Sequence, residues 1–233
     1  HAGTLDPLAT GILPIALGDA TKTMPYLVEA KKTYEVQIKW GERTDTLDAE
    51  GEIVATSDVR PSGKELADTL PQFMGEISQT PPAYSAIKID GKRAYDLARA
   101  GEAPKMKART VVIDGLDILE TNEHTATLRV DCGKGTYIRS LSEDIAKALG
   151  TLGYVAVLRR LGAGPYKPEM MITLDELIAL KPEGCDDFTA LEDRLLPTYT
   201  ALESVPIIQV TFEQARDLQF GRAIRVSDAG GKP

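Results

Sequence analysis

Histidine and cysteine are scarce in this chain, with two of each among 233 residues. His1 and His124 lie far apart, and neither has a partner at His-x-x-His or Cys-x-x-Cys spacing, so the sequence gives little support for a metal site. Two cysteines, Cys132 and Cys185, are too few for a disulfide framework and are typical of a reducing compartment. We therefore expect a cytoplasmic protein without a metal or a disulfide scaffold.

Long apolar runs are also missing. No stretch reaches the roughly 18 residues of a membrane span, and the first residues lack the basic lead and the long apolar core of a signal peptide. The sequence has no Gly-x-Ser-x-Gly elbow and no Walker or Rossmann glycine pattern, because the GKGT stretch at 133–136 has the wrong spacing. These absences argue against membrane proteins, serine hydrolases and the common nucleotide-binding enzymes.

Positive charge is in short supply overall but concentrated in one segment. The net charge of −8 argues against a general nucleic-acid binder. The segment Tyr84–Arg109 nevertheless carries a local charge of +4, which leaves −12 on the rest of the chain. A basic segment on an acidic body can hold a phosphate backbone while the body repels it. The alternative is a charged hairpin that is simply solvated.

The first fourteen residues, HAGTLDPLATGILP, contain the best candidate for chemistry. Asp6 lies between Gly3 and Gly11 and precedes Pro7, which disfavours a helical conformation at Asp6. Leu5 and Leu8 can anchor this loop to a core and hold the carboxylate in a partly dry place. Taken alone, an Asp before Pro is more often an ordinary turn residue.

Two further residues stand in unusual positions. Ser140 and Glu143 have the spacing of a capping box, which predicts a helix beginning at Ser140 and places Arg139 just outside its positive end. A cation is electrostatically disfavoured there unless it pairs with a carboxylate. Tyr34 lies on the apolar face of a predicted strand, so its ring is expected to be buried with the hydroxyl near a polar group. The alternatives are a surface arginine and a core tyrosine.

The remaining patterns predict an α/β protein with a mixed, mostly antiparallel sheet and peripheral helices. A polar loop is expected at 41–51, and an Asp90-Gly91 hairpin turn in the basic segment. Strands are predicted at 33–40, 53–55, 111–119, 126–132, 207–210 and 223–226, and helices at 62–74, 140–149, 173 to Pro182 and 212–220.

Several blocks, in order, resemble the TruB family of tRNA pseudouridine synthases. The first is HAGTLDPLATGILPIALGDATK, and the others are KTYEV, GERTDTLDAEG, QTPPAYSAIKIDGKRAYDLARAG, CGKGTYIRSLSEDIAKALG and VLRRLGAGPY. They cover about residues 6–180, so their joint occurrence outweighs the alternatives for the single residues.

The resemblance implies a pseudouridine-synthase fold and the isomerisation of uridine 55 in the T loop of tRNA, with no cofactor. The N1–C1′ bond breaks and a C5–C1′ bond forms. Asp6 matches the catalytic aspartate, and it would attack the sugar, attack the base or remove a sugar proton. Arg139 matches the arginine that pairs with it, and Tyr34 the tyrosine that stacks on the target base. Tyr137 and Leu161 match apolar contacts in the same pocket.

The resemblance also implies how the RNA is held. The target uridine must be flipped out of its loop. His1 matches the residue that fills the vacated space, and Asp48 a polar contact to a neighbouring flipped base. The segment 82–110 matches a basic thumb that closes over the RNA, with Lys88, Lys92 and Arg93 as contacts. The expected partner is the T-stem-loop of tRNA, bound by a monomer without a guide RNA.

The resemblance further implies two units, a catalytic domain at 1–204 and part of a small, β-rich RNA-binding module of the PUA type at 205–233. Members usually carry a further segment ahead of the position of His1, which we expect to be missing here. Two alternatives are kept. One is a non-catalytic tRNA-binding or tRNA-folding module, although such a module has no use for Asp6 and Arg139 together. The other is a guide-RNA-dependent synthase.

Overall fold

A computed structural model describes residues 1–85, 87–89, 91–102, 104, 106–180, 184 and 187–225, with the backbone alone at 88, 98 and 99. The strands are β1 (Thr10–Gly11), β2 (Lys32–Trp40), β3 (Glu42–Thr44), β4 (Ile53–Thr56), β5 (Gly75–Gln79), β6 (Lys88–Ile89), β7 (Lys92–Arg93), β8 (Arg109–Thr121), β9 (Thr125–Cys132) and β10 (Gly153–Ala163). The α-helices are α1 (Met24–Glu29), α2 (Gly63–Thr69), α3 (Ala94–Arg99), α4 (Ile138–Ala148), α5 (Leu174–Ala179), α6 (Thr189–Glu192) and α7 (Phe212–Gln219).

Six strands form the central sheet, in the order β1-β10-β2-β9-β8-β5. The short β1 runs parallel to β10 and the other neighbours are antiparallel, so the predicted mixed and mostly antiparallel sheet is confirmed. In β2, Val36, Ile38 and Trp40 point to one buried face, as the alternation predicts. That face and α4 form the main core, which includes Leu128, Leu141, Ile145, Val155 and Leu158.

The helices lie around this sheet, and local signals account for many of their ends. Ser62 and Glu65 cap α2 reciprocally, and Thr173 and Glu176 do the same for α5, so both helices begin where the sequence predicts a helix start. Beyond α2 the chain tightens into a 3₁₀ turn at Leu70–Phe73, where Pro71 cannot donate a helical hydrogen bond. The predicted end of α5 at Pro182 lies outside the described residues.

Three sequence expectations differ from the structure or are only partly covered by it. The stretch 41–51 is not all loop, because Glu42–Thr44 pairs with β4. The strand expected at 207–210 is wrong: those residues are exposed and no described segment pairs with them. No strand is described at 223–225 either, and 226 lies outside the described residues. The predicted helix between them is confirmed as α7, so the described part of the C-terminal region is not β-rich.

Among the described residues, none of the helices is both long and apolar enough to span a bilayer. No group of three or more His, Cys, Asp or Glu side chains in that part of the chain is arranged to hold a metal ion.

Gly11 is the position where the fold depends most directly on glycine. Its φ is +96°, and a Cβ atom there would lie 2.2 Å from the carbonyl oxygen of Arg160 on β10. We expect Gly11→Ala to lower the free energy of unfolding by about 2–5 kcal/mol, through backbone strain together with displacement of β1. Urea unfolding measures the loss.

Gly75→Ala is the matched control, since Gly75 has a φ of +79° but open space around it. It should cost about 1–2 kcal/mol, from strain alone. Equal losses in the two variants would show that the close contact with β10 contributes nothing.

Candidate active site

The loop that carries Asp6 is closed at both ends. The Ala2 amide donates to the carbonyl of Pro14, and Ile12 donates to the carbonyl of Arg160 on β10. Within the loop, Asp6 begins a turn in which the Ala9 amide donates to its carbonyl, with Pro7 at the second position, where its fixed φ is favoured. Leu8 packs against the main core. Asp6 is therefore both a turn residue and a carboxylate held on the sheet, with 30% of its side chain exposed.

Arg139 binds Asp6 through a two-pronged contact. Its Nε donates to Oδ2 at 2.9 Å and its Nη2 to Oδ1 at 2.8 Å. Such a fork fixes the plane of the carboxylate as well as its position. The arginine side chain is only 5% exposed, so the pair forms where water screens it poorly. Each Asp6 oxygen keeps a second lone pair for a substrate.

The same guanidinium also holds a second carboxylate. Its Nη1 lies 3.2 Å from Oδ2 of Asp48 and donates to the Thr46 carbonyl at 2.9 Å. Asp48 is 4% exposed, and its other oxygen accepts from the Thr46 hydroxyl and the Glu50 amide. In this structure Asp48 therefore faces protein, and its contact with a flipped base stays a prediction.

Leu47, between these two partners of Arg139, adopts a left-handed backbone conformation with a φ of +66°. This conformation is unfavourable for leucine and persists only where the surroundings enforce it. Here the Leu47 side chain is buried, and its carbonyl accepts from the Val155 amide of β10. The strain is stored directly beside the ion-pair cluster.

The helix that carries Arg139 begins earlier than the sequence indicates. It starts at Ile138, with Tyr137 as its first flanking residue and no side-chain cap, so the capping box at Ser140 and Glu143 is wrong. The Gln79 side chain instead binds both the amide and the carbonyl of Tyr137, and Glu143 pairs with Arg43 and Lys147. Arg139 thus lies in the first turn, an unfavourable place for a cation that Asp6 and Asp48 offset.

Tyr34 lies beside this cluster on β2. Burial raises the pKa of its hydroxyl, the neighbouring Arg160 guanidinium offsets part of the shift, and the Asp6 carboxylate adds a smaller upward contribution. The tyrosine is therefore neutral at physiological pH, with its ring half-buried near Asp6.

The other predicted contacts are spread around these residues. Tyr137 is half-buried under the Arg109 guanidinium, which lies 5.9 Å from its ring centre. Leu161 is half-buried at an irregularity of β10, and His1 is exposed. Lys92 and Arg93 are exposed on β7, and the Lys88 side chain lies outside the described residues.

The first residues of the thumb, its root, contact Arg139. The Tyr84 carbonyl accepts a 2.9 Å hydrogen bond from Nη2 of Arg139. Strands β6 and β7 form the predicted hairpin, with Gly91 at a φ of +86°, although Asp90 itself lies outside the described residues. The Tyr95 amide then donates to the Ser85 carbonyl, which returns the chain to the root.

Comparison with known proteins assigns the family. Residues 1–138 match the model of the TruB family pseudouridylate synthase N-terminal domain, and residues 139–203 match the tRNA pseudouridylate synthase B C-terminal domain. The chain belongs to the TruB family. The boundary between the two matches falls inside α4, and the strands on either side of it build one sheet.

TruB relatives with assigned names cover nearly the whole chain. It is 48% identical over its full length to tRNA pseudouridine synthase B of Gluconacetobacter diazotrophicus, of which it spans 75%. It is 51% identical over 96% of its length to tRNA pseudouridine synthase B of Caulobacter vibrioides, of which it spans 71%.

Solved structures share the fold at lower identity. A chain in the crystal structure of a Cbf5-Nop10-Gar1 complex is 28% identical, with a TM-score of 0.71 over 95% of this chain and 58% of that one. A chain in an archaeal box H/ACA sRNP Nop10-Cbf5 complex gives 0.63 at 27% identity, over 88% of this chain and 52% of that one. The pseudouridine-synthase fold is therefore confirmed.

Sequence reasoning missed three parts of this TruB site. Gln79 orients the start of α4, and the Thr46 and Tyr84 carbonyls complete the shell of Arg139. Arg160 binds the Asp6 loop from the position opposite Tyr34 in the sheet. Backbone carbonyls carry no residue signature. Arg159 and Arg160 are adjacent in the sequence, which does not show which of them faces the core. The structure of β10 places Arg160 on the buried face, and its neighbour therefore lies on the other face.

The Asp6–Arg139–Asp48 cluster makes a prediction about stability. We expect Arg139→Met to lower the free energy of unfolding by about 3–5 kcal/mol, since it leaves the buried Asp48 carboxylate without its cation. Adding Asp48→Asn to Arg139→Met should recover part of that loss, with a coupling energy of about 1–3 kcal/mol in a double-mutant cycle.

Lys39→Met is the control, because the Lys39–Glu42 pair is much more exposed. It should cost no more than about 1 kcal/mol. Additive effects of the Arg139 and Asp48 substitutions would contradict a shared, desolvated cluster.

Proposed function

We propose that this chain isomerises uridine 55 in the T loop of tRNA to pseudouridine. The N1–C1′ bond of the nucleotide breaks, the uracil turns over, and C5 bonds to C1′ while the C5 hydrogen leaves as a proton and N1 gains one. The observation that carries the proposal is the Asp6 carboxylate, fixed by a buried arginine and left partly open beside the Tyr34 ring.

The geometry suits a reaction that needs an ionised carboxylate. Attack on the sugar, attack on the base and removal of a sugar proton all require Asp6 in its charged form. The paired guanidinium stabilises that form in a partly desolvated place and prevents the carboxylate from rotating. A neutral tyrosine beside it offers a face for stacking on the flipped base, an interaction of about 1–3 kcal/mol.

The substrate assignment rests on the relatives and on the charge pattern. The relatives at 46–51% identity bear the name tRNA pseudouridine synthase B. We infer that the thumb, with Lys92 and Arg93, contacts the phosphates of the T-stem-loop, and that His1, Asp48, Tyr137 and Leu161 line the path of the displaced bases. Phosphate contacts would position the RNA without reading its sequence.

The remaining assignments belong to the same proposal. We infer a catalytic domain at 1–204 followed by part of an RNA-binding module, and a cytoplasmic monomer that acts without a guide RNA. The 28% identity to a chain of a Cbf5-Nop10-Gar1 complex makes a guide-dependent synthase the alternative to test. An isolated T-stem-loop, offered without a guide, distinguishes the two.

The first test is tritium release from a T-stem-loop labelled at uridine C5. The protein alone should release one equivalent per loop, and Asp6→Asn should lower the rate at least about 10²-fold, the scale of losing a catalytic acid-base group. Binding of the loop should persist, because Asp6 is one contact among many.

Asp19→Asn is the matched control, since Asp19 is an exposed carboxylate paired with Lys22. This variant should release tritium at the rate of the unchanged protein. Tight binding without tritium release by the unchanged protein would favour a binding module, and release only with an added guide would favour the alternative synthase.

The thumb makes a separate prediction about salt. We expect the double variant Lys92→Ala/Arg93→Ala to bind the T-stem-loop more weakly and to reduce the slope of log affinity against log salt by about 1–2, because each lost phosphate contact removes about one released counterion. Filter binding across a salt series measures the slope.

Lys22→Ala/Lys64→Ala removes the same charge from exposed positions outside the thumb and should leave the slope unchanged. An unaltered slope in the Lys92/Arg93 variant would show that the thumb does not contact phosphate.

A further inference from the structure

Arg160 is a buried cation on β10. The residue is 1% exposed, and no acidic side chain in the described part of the chain pairs with it. A buried charge is costly unless hydrogen bonds replace its water. Lys32 is a second buried cation close by: burial lowers its pKa, and Arg160 lowers it further. The arginine therefore remains in an unfavourable, positively charged setting.

The hydrogen bonds of Arg160 go to both ends of the Asp6 loop. Its Nε donates to the Ile12 carbonyl at 2.6 Å, after Asp6, and its Nη2 donates to the Gly3 carbonyl at 3.2 Å, before Asp6. The backbone reinforces this contact, because the Ile12 amide donates to the Arg160 carbonyl at 2.9 Å. One side chain thus joins the two ends of the loop whose tip carries the Asp6 carboxylate.

Tyr34 lies directly across from Arg160 in the sheet. The two residues are register partners on β10 and β2, so their side chains lie on the same face. The Arg160 guanidinium also lowers the pKa of the Tyr34 hydroxyl, against the larger effect of burial. The group that binds the Asp6 loop is therefore the neighbour of the tyrosine ring. A methionine of similar length could fill the space but could not bind the two carbonyls.

We propose that Arg160 is a positioning residue, which sets the placement of the Asp6 carboxylate relative to the Tyr34 ring by binding both ends of the loop from the position directly opposite Tyr34 in the sheet. This inference rests on the proposed isomerisation and adds a determinant of its rate. Binding of the RNA does not depend on it, because Arg160 is too buried to contact a phosphate. Its loss should therefore lower the rate of the chemical step with little change in affinity.

The test compares Arg160→Met and Arg160→Lys with Arg159→Met, a change at the adjacent position on the opposite face of β10. Single-turnover tritium release is measured at saturating T-stem-loop, together with affinity for the loop. We expect Arg160→Met to react about 10²-fold more slowly, the scale of a misplaced reacting group. Its affinity should stay within about threefold of the unchanged protein.

Arg160→Lys should restore part of the rate, because an ammonium can still reach one of the carbonyls. Arg159→Met should react as the unchanged protein does. A rate for Arg160→Met within about threefold of the unchanged protein would overturn the proposal.

Hydrogen exchange separates positioning from general stability and from the proposed function. Faster exchange at the amides of residues 3–12, with β2 and β9 unchanged, is the expected result for Arg160→Met, or for Arg160→Lys if the methionine variant does not fold. Equal acceleration throughout the sheet would assign Arg160 a purely structural role and overturn the proposal. If the unchanged protein released no tritium, the proposed function would fail, and the exchange pattern would still decide whether Arg160 holds the loop.

Discussion

The site depends on the complete satisfaction of one buried guanidinium. The five N–H groups of Arg139 face five oxygens: two of Asp6, one of Asp48, and the carbonyls of Thr46 and Tyr84. Such a complete set of partners offsets the cost of removing the arginine from water. Because those partners come from three distant segments, the same contacts that keep the charge buried also bring the Asp6 loop, the Asp48 loop and the thumb together.

Two buried arginines bind different parts of the Asp6 loop. Arg139 binds the carboxylate at the tip, and Arg160 binds the carbonyls of Gly3 and Ile12 at the base. The first fixes the Asp6 carboxylate, and the second fixes the peptide that carries it. Both extend from regular elements, α4 and β10, which are packed against the main core. A carboxylate on a loop is thereby held as firmly as a side chain on a helix or strand.

The charges of the chain are distributed unevenly between its body and one basic segment. The body of the chain is acidic, and the basic segment Tyr84–Arg109 begins at the residue whose backbone carbonyl contacts Arg139. A displacement of that carbonyl would act on the same guanidinium that holds the Asp6 carboxylate. The strained backbone of Leu47 lies between Thr46 and Asp48, which both contact Nη1 of that guanidinium.

The sequence by itself determined the elements whose signals are local: the alternation of β2, the hairpin of the thumb, and the starts of α2 and α5. Through the resemblance it also named Asp6 and Arg139 as a pair, which the structure brings together, while their roles and that of Tyr34 stay predictions. It failed where the decisive partner is distant in the chain. The start of α4 is set by Gln79 and not by Ser140 and Glu143, and no strand forms at 207–210 because no described segment pairs with it. Only the tertiary structure decided that Asp48 is buried against Arg139 and that Arg160 faces inward, because burial and hydrogen-bond partners depend on how the sheet and α4 pack together.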